Sequence, residues 1–325
     1  MYEFICIGSA CKDVFFPTSE GKVIDTPEDL AAQKKIEFEL GAKYKIETRY
    51  EALGGCAANV ACGLSKLGIK TACYSHIGDD YISDWIKKEL ETSGVDAELI
   101  IREKGVVSDM SAIIVDTKDG DRVIFSNQKA NSYLDINPEK IEDTKWIFIG
   151  DLHGNWENNL DKIFNAAKEN NIKLAFNPSQ QANIHGNIEK VIECIPKTDI
   201  VFLNKDESIE IISKHNASLN ESDLNNEEIL IKELQKINSK IAVITDGIRG
   251  SWVYDGKDFL HLPAFTVKAK ETTGAGDSFA SGFLGAHIKG KNISECLQWG
   301  AKNSASVVQY YGAIEGLLDA DSISK

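Results

Sequence analysis

Short apolar runs, each closed by glycine or a polar residue, recur along most of the chain. Phe4-Ile5-Cys6-Ile7-Gly8 is the first, and it has the pattern of a strand buried on both faces. From Asn59 to Leu67 the period changes, with Val60, Leu64 and Leu67 at helical spacing and Gly68 as the stop. Thr71 to Ile77 reads as another buried strand, and Ser83 to Thr92 as a polar-faced helix. Later the order becomes regular. Strands are expected at Trp146 to Ile149, Lys173 to Phe176, Ile200 to Leu203 and Ile241 to Thr245. Helices are expected over 157–170, 186–195, 206–214 and 226–238. This alternation implies right-handed βαβ crossovers and a parallel sheet. Ser251 to Tyr254 and Phe259 to Leu262, joined through Asp255-Gly256, form a local antiparallel hairpin at an edge. Helices from Gly276 to Lys289 and from Ile293 to Val308 complete the pattern.

Two stretches depart from it. Residues 14–52 carry Pro17, Gly21, Pro27 and many charges, and the alternation of Lys45 to Tyr50 suits a half-exposed strand. Val107 to Asp116 and Arg122 to Phe125 flank Lys118-Asp119-Gly120-Asp121, whose Asp-Gly is a hairpin signal. No repeat or low-complexity linker divides the chain. The expected organisation is one α/β domain over residues 1–325, with a small β appendage from about 14–52 and 105–127.

Composition narrows the function. The 325 residues are 42% hydrophobic, enough for a large core, and the net charge of -14 argues against a nucleic-acid or anionic-membrane surface. Seven cysteines without a C-x-x-C pair fit buried thiols in a reducing cytosol better than a disulfide framework or a zinc site. No charged leader precedes the first strand, and no apolar run approaches the roughly 18 residues of a membrane helix. A soluble, cytoplasmic protein is expected.

The chemistry concentrates in Thr272-Thr273-Gly274-Ala275-Gly276-Asp277-Ser278-Phe279, between an extended segment and an apolar helix. Two close glycines let the backbone turn and expose consecutive N–H groups, and the helix start adds free donors and its positive dipole end. Such an anion hole suits charge on a phosphoryl group in transit, and Asp277 stands at its mouth, placed to take a proton from a hydroxyl. Taken alone, Gly-Ala-Gly-Asp also reads as a turn whose aspartate caps a helix. It is not a Walker loop.

This segment, with Glu271 before it and Gly282-Phe283 after it, resembles the C-terminal signature of the ribokinase-like (PfkB-type) carbohydrate kinases. Upstream, Leu53-Gly54-Gly55-Cys56-Ala57-Ala58-Asn59 is similar to that family's N-terminal Gly-Gly-x-x-x-Asn signature. The resemblance spans essentially the whole chain. It implies a three-layer α/β/α fold with a mostly parallel central sheet and a small β-sheet lid over the acceptor. It also implies ATP and Mg2+ as cofactors, with Asp277 as general base and Gly274, Ala275 and Gly276 as the anion hole.

Other roles follow from the same resemblance. Asn204 and Glu207 match the Asn-x-x-Glu motif that orders phosphates and magnesium, the metal held by Glu207 through water. Thr245, Gly247 and Gly250 match a phosphate-binding turn, and Thr273 and Asn303 complete the nucleotide contacts. Adenine would lie between 263–267 and the last helix. Asp13, Gly54, Gly55 and Asn59 match the acceptor site. A homodimer through the lid is a further implication. The long first lid segment departs from the shortest relatives. Cys56 stands where ribokinases proper often have lysine, which speaks against a phosphorylated acceptor unless Arg102, Arg122 or Lys129 supplies a cation. Glu271 replaces a commoner aspartate beside the family's monovalent-cation site, so K+ activation is left open. His153 follows a strand and reads first as structural, with an acceptor contact as the other option.

The leading expectation is transfer of the ATP γ-phosphoryl to a primary hydroxyl of a ribose- or fructose-type sugar. A nucleoside kinase on the same fold is the nearest rival, favoured if Phe15, Phe16, Phe125 or Trp156 lines the pocket and stacks a base. A non-catalytic metabolite sensor would have no need of Asp277. A nicotinamide dehydrogenase is disfavoured because Gly8 to Asp13 lacks the G-x-G-x-x-G turn.

Overall fold

The computed structural model describes residues 2–26, 34–118, 120–237 and 239–325. The chain opens on β1 (Tyr2–Gly8) and crosses into β2 (Cys11–Thr18); β3 (Lys22–Asp25) and β4 (Lys34–Glu37) then pair antiparallel. β5 (Tyr50–Gly54) leads into α1 (Cys56–Lys66), followed by β6 (Thr71–Tyr74), β7 (His76–Ile77), α2 (Tyr81–Thr92) and β8 (Ile101–Arg102). The hairpin of β9 (Met110–Asp116) and β10 (Arg122–Asn127) comes next. Alternation then sets in with β11 (Thr144–Gly150), α3 (Trp156–Asn170), β12 (Lys173–Asn177), α4 (His185–Cys194) and β13 (Ile200–Asn204). It continues through α5 (Lys205–His215), α6 (Glu221–Leu224), α7 (Glu227–Lys236), β14 (Ile241–Thr245), β15 (Ser251–Tyr254) and β16 (Phe259–Leu262). α8 (Ala275–Ile288), α9 (Ile293–Val307) and α10 (Ala320–Ile323) end it.

Eight strands form the central sheet in the order β16-β15-β14-β13-β12-β11-β1-β6. The six from β14 to β6 are parallel, and β15 and β16 add an antiparallel edge. The period of two along each strand divides the core. Phe4, Cys6, Phe148, Phe202 and Val243 face one layer with α1, α2, α8 and α9. Ile5, Ile7, Ile147, Ile149, Val201 and Ile244 face the other, with α3, α5 and α7. Strands apolar on both faces are therefore covered on both faces, and the three-layer expectation holds.

β10-β9-β2-β5 make a separate four-stranded sheet. Its cross-strand rows bring Asp13, Ser111 and Ser126 into line, and next to them Phe15, Ile113 and Ile124. Several boundaries differ from those read in the sequence. The alternating stretch expected as a strand over 45–50 is irregular until Tyr50, because pairing with β2 begins only there. The strand expected over 71–77 breaks at Ser75: β6 pairs with β1, whereas β7 pairs with β8. The helix expected over 226–238 starts at its Asn226 cap, which accepts from Glu228 and Ile229 N–H, and α6 precedes it. Pro27, Asp119 and that helix's expected end at Asn238 lie outside the described residues. No helix among the described residues is long and apolar enough to cross a membrane.

Gly8 ends β1 beside Gly150 at the end of β11, with φ at 146°. A Cβ on Gly8 would lie 1.7 Å from the Gly150 carbonyl oxygen, so only glycine lets these strands finish side by side. Gly8→Ala is expected to cost on the order of 3 kcal/mol through crowding and backbone strain, read as a lowered denaturant midpoint.

Candidate active site

The parallel strands carry their C-terminal ends to one edge of the sheet, and the chemistry-bearing residues gather there. α8 starts at this edge. Gly274 enters it with φ at 73°, and a Cβ there would stand 2.2 Å from the Ala313 methyl. Gly276 is different: nothing lies within 4 Å of where its Cβ would be. Space is therefore open at Gly276 in the first turn of α8, as an anion cradle requires, whereas Ala275 N–H donates to the Thr272 carbonyl at 3.3 Å.

Asp277 sits in that turn and accepts from Asn59 Nδ2 at 2.8 Å. Burial pushes its carboxyl above the usual range and the Asp151 charge adds to this, while bonds from Asn59 and Cys56 pull it back down. α1 holds Asn59 in place, and α1 starts at Gly55, where φ is 94° and a Cβ would meet the Ser9 carbonyl oxygen at 2.5 Å. Gly54 faces Asp13 so closely that a Cβ would lie 2.2 Å from Asp13 Oδ2. Asp13 is buried in β2, and burial raises its carboxyl to about 6 against opposing bonds from Ser111 and Cys11.

Asp13, Gly55, Asn59, Thr273, Gly274 and Asp277 line one cavity of about 490 Å³ whose walls mix polar and apolar groups; Gly54, expected at the acceptor site, does not line it. Two of its buried oxygen atoms, Asn59 Oδ1 and Thr273 Oγ1, have no hydrogen-bond partner in the protein. No Lys or Arg lines it among the described residues, nor do Phe15, Phe16, Phe125 or Trp156. Phe15 and Trp156 are buried in apolar clusters, and Phe125 points to solvent. Of the cations considered from the sequence, Arg102 pairs with Asp84 on the surface and Arg122 bonds Thr272.

Asp151 and His153 also line this cavity. Asp151 has φ at 53°, rare for a non-glycine residue, and accepts from Ser9 Oγ at 2.7 Å while Ser9 Oγ accepts from Cys56 N–H at 3.0 Å. Burial alone would raise Asp151, but His153 Nε2 at 3.0 Å, with Ser9 and Ser179, holds it below its ordinary value. His153 is in turn raised: burial opposes the shift, and the Asp151 contact outweighs burial. Sequence reasoning left Asp151 without a role, and the only signal was its place directly after a strand's terminal glycine.

A second cavity, of about 240 Å³, lies on the other side of the α8 start. It is mostly apolar, bounded by Phe265, Val267, Ala301, Ala305 and Val308, and Thr245, Gly247, Gly250 and Gly276 also line it. A small hollow beside it is lined by Asn177, Asn204, Glu207, Thr245 and Gly276. Asn204 and Glu207 form a reciprocal capping box, each side chain accepting from the other's backbone N–H at 2.8 Å. The helix-start reading of Asn-x-x-Glu is therefore realised, and Glu207 still faces the hollow. Burial lifts its carboxyl to about 7. Buried Lys205 links this helix start to the 245–250 turn through Glu227 at 2.6 Å and Asp246 at 3.6 Å.

Two expected nucleotide contacts stand apart from the rest: Thr273 lines the first cavity and not the second, and Asn303 lines neither. It is buried between α8 and α9, donating to the Ser278 carbonyl at 2.8 Å and accepting from Leu318 N–H at 3.0 Å. Its hydrogen-bonding groups are used inside the fold, and Ala301, Ser304 and Ala305 line the cavity on that helix instead.

The sequence pattern of the pfkB family carbohydrate kinases matches residues 29–320. The chain belongs to this family. Among curated members, it is 26% identical over 324 residues to the nucleoside kinase of Methanocaldococcus jannaschii, covering 99% of this chain and 96% of that one. It is 24% identical over 302 residues to the ATP-dependent 6-phosphofructokinase of Thermoanaerobacterium thermosaccharolyticum, covering 89% and 88%. The ribokinase of Cryptococcus neoformans var. grubii serotype A, solved in complex with ADP, superposes with a TM-score of 0.79 at 21% identity, covering 100% of this chain and 97% of that one. At that identity the superposition establishes the family's fold: the large, mostly parallel sheet between helical layers.

Asn59→Ala removes a hydrogen bond that favours the ionised form of Asp277. The Asp277 carboxyl is expected to titrate higher in that variant than in the native protein, as read by side-chain carbon NMR.

Proposed function

We propose that the protein is an ATP-dependent kinase that moves the γ-phosphoryl group to a primary hydroxyl of a small neutral sugar, of ribose or fructose type. The observation that carries this reading is the start of α8 between two cavities, one of mixed lining that holds the carboxylates and one mostly apolar. Asp277 and Gly274 line the first, while Ala275 and Gly276 line the second. The mixed cavity would take the acceptor, with Asp13 and Asn59 bonding its hydroxyls. The unpartnered Asn59 Oδ1 and Thr273 Oγ1 suit the same ligand, since each lacks a partner that a hydroxyl supplies. The apolar cavity would take adenine, with the 245–250 turn toward the phosphates.

In the transfer step Asp277 accepts the proton of the acceptor hydroxyl as its oxygen bonds the γ-phosphorus. The bond from that phosphorus to the β–γ bridging oxygen breaks, and ADP leaves with the electron pair. The N–H groups at Gly274 and Gly276 hold the charge on the phosphoryl oxygens, and that of Ala275 joins them on leaving the Thr272 carbonyl. Magnesium, when bound, neutralises phosphate charge, and Glu207 would hold it through water from the hollow it shares with Asn204.

The lining of the acceptor cavity favours a neutral sugar over the two rivals suggested by relatives. A phosphosugar, as in the phosphofructokinase, calls for a cation, and none lines the cavity among the described residues. A nucleoside, as in the Methanocaldococcus jannaschii enzyme, calls for a stacking ring or apolar slot; Ile113, Ile124 and Ala182 supply apolar surface, and of the aromatic candidates Phe15, Phe16, Phe125 and Trp156 none lines the cavity. The outer face of the small sheet exposes Val123 and Phe125, which suits pairing with a second copy.

A panel of neutral sugars, phosphosugars and nucleosides assayed for ADP release tests the acceptor. Turnover confined to phosphosugars or nucleosides would sink the neutral-sugar reading. Asp277→Asn is expected to lower kcat by about 10²- to 10⁴-fold with ATP affinity by calorimetry nearly unchanged. Because Asp277 works ionised and burial raises its pKa, kcat/KM should fall with decreasing pH already above the ordinary carboxylate value of about 4. An acid limb at or below that value would contradict it.

A further inference from the structure

The small sheet touches the approach to the anion loop on one side and the 311–312 segment on the other, and both contacts meet at one buried carboxylate. From β10, Arg122 Nη1 donates to Thr272 Oγ1 at 2.5 Å. The β9–β10 turn passes so close that a Cβ on Gly120 would stand 3.0 Å from the Lys270 carbonyl oxygen. On the other side Tyr311 stacks on Tyr50 of β5 with centroids 4.4 Å apart, and leans on Phe15 of β2 at 6.2 Å. The next residue, Gly312, leaves only 2.7 Å between its would-be Cβ and the Ala52 methyl.

Glu271 joins the two contacts. It is fully buried, with Oε2 accepting from Thr273 N–H at 2.6 Å and Oε1 from Gly312 N–H at 3.2 Å. One carboxylate thus ties the first residue of the anion loop to the segment on which β2 and β5 rest. The Arg122 charge reaches it without an ion pair: burial raises the Glu271 carboxyl, Thr273 and Gly312 oppose that rise, and Arg122 opposes it least. An exposed hydrogen bond alone contributes little, but a cation beside a buried carboxylate offsets a larger desolvation cost.

We propose that Arg122 and Glu271 are positioning residues that couple the seating of the small sheet to the shape of the anion loop. The proposal rests on the kinase reading for its purpose, and neither residue touches the reacting atoms. With the sheet seated over the acceptor cavity, Arg122 holds Thr272 while Glu271 holds Thr273 and Gly312. With the sheet displaced, the carboxylate loses its nearby cation and the loop relaxes. Phosphoryl transfer is then tied to an occupied, covered acceptor cavity, and loss of ATP to water is limited.

The test uses the full chain with Arg122→Ala and Arg122→Lys, read by amide hydrogen exchange, thermal melting and kinetics. Arg122→Ala is expected to speed exchange at Thr273 to Gly276 and to lower kcat, each by about tenfold, with KM for ATP little changed. Arg122→Lys, which keeps the charge, should recover part of both. Unchanged loop exchange overturns the coupling whatever the acceptor, and so does an unchanged kcat. Faster exchange spread evenly over the chain with a lowered Tm means a structural role alone and overturns it too. If the native protein turned over no sugar while loop exchange still answered to Arg122, the acceptor reading would fall and the coupling would stand.

Discussion

A helix leaves its first N–H groups without intrahelical partners, and those at the start of α8 are the point on which the site depends. Ala275 N–H is taken by the Thr272 carbonyl, and space opens beyond it because the chain enters the helix through left-handed Gly274 and nothing crowds Gly276. A side chain at either position would close the gap, by collision with Ala313 in one case and by filling the cradle in the other. The two cavities meet at this turn, so donor and acceptor chemistry are separated by less than one turn of helix.

The same economy of space governs the other glycines at the edge of the sheet. Gly8 lets β1 and β11 end together, Gly54 lets the backbone pass Asp13, and Gly55 lets α1 begin against Ser9. Each close approach brings a polar side chain nearer the centre: Asp13 through β2, Asn59 through α1. The rigid parallel sheet supplies the platform, and the small sheet adds a wall of Asp13, Ser111 and Ser126 from three neighbouring strands.

Burial also sets the electrostatics. Asp13, Asp277 and Glu207 are all raised by desolvation, with hydrogen-bond donors opposing the shift. Asp151 alone among the cavity carboxylates is held low, because His153 and Ser9 stabilise its charge. The chain's negative charge is therefore not distributed uniformly in the cleft. A carboxyl with raised affinity for protons stands beside one that stays ionised, the separation of roles on which acid–base chemistry relies.

Much of this was legible in the residues. Alternation of apolar positions announced the two-faced core, because a period of two must present Phe4 and Ile5 to opposite layers. The Gly-Ala-Gly-Asp turn announced a helix start, because backbone preference at its glycines is local, although Ala313 also packs against Gly274. What the chain's order could not decide was contact across long separations. Asn303 carries a polar amide at a helical position that seemed open to the nucleotide, yet it is consumed between α8 and α9. Asp151 and His153 looked like a strand's polar end, and only the fold turned them toward Asp277's cavity. Arg122 lies 150 residues from Thr272 and meets it only because the small sheet folds over the edge of the large one. Local geometry is written in the sequence through backbone preference and periodicity. Which distant polar groups share a cavity is decided by packing, which exists only once both layers and the small sheet are in place.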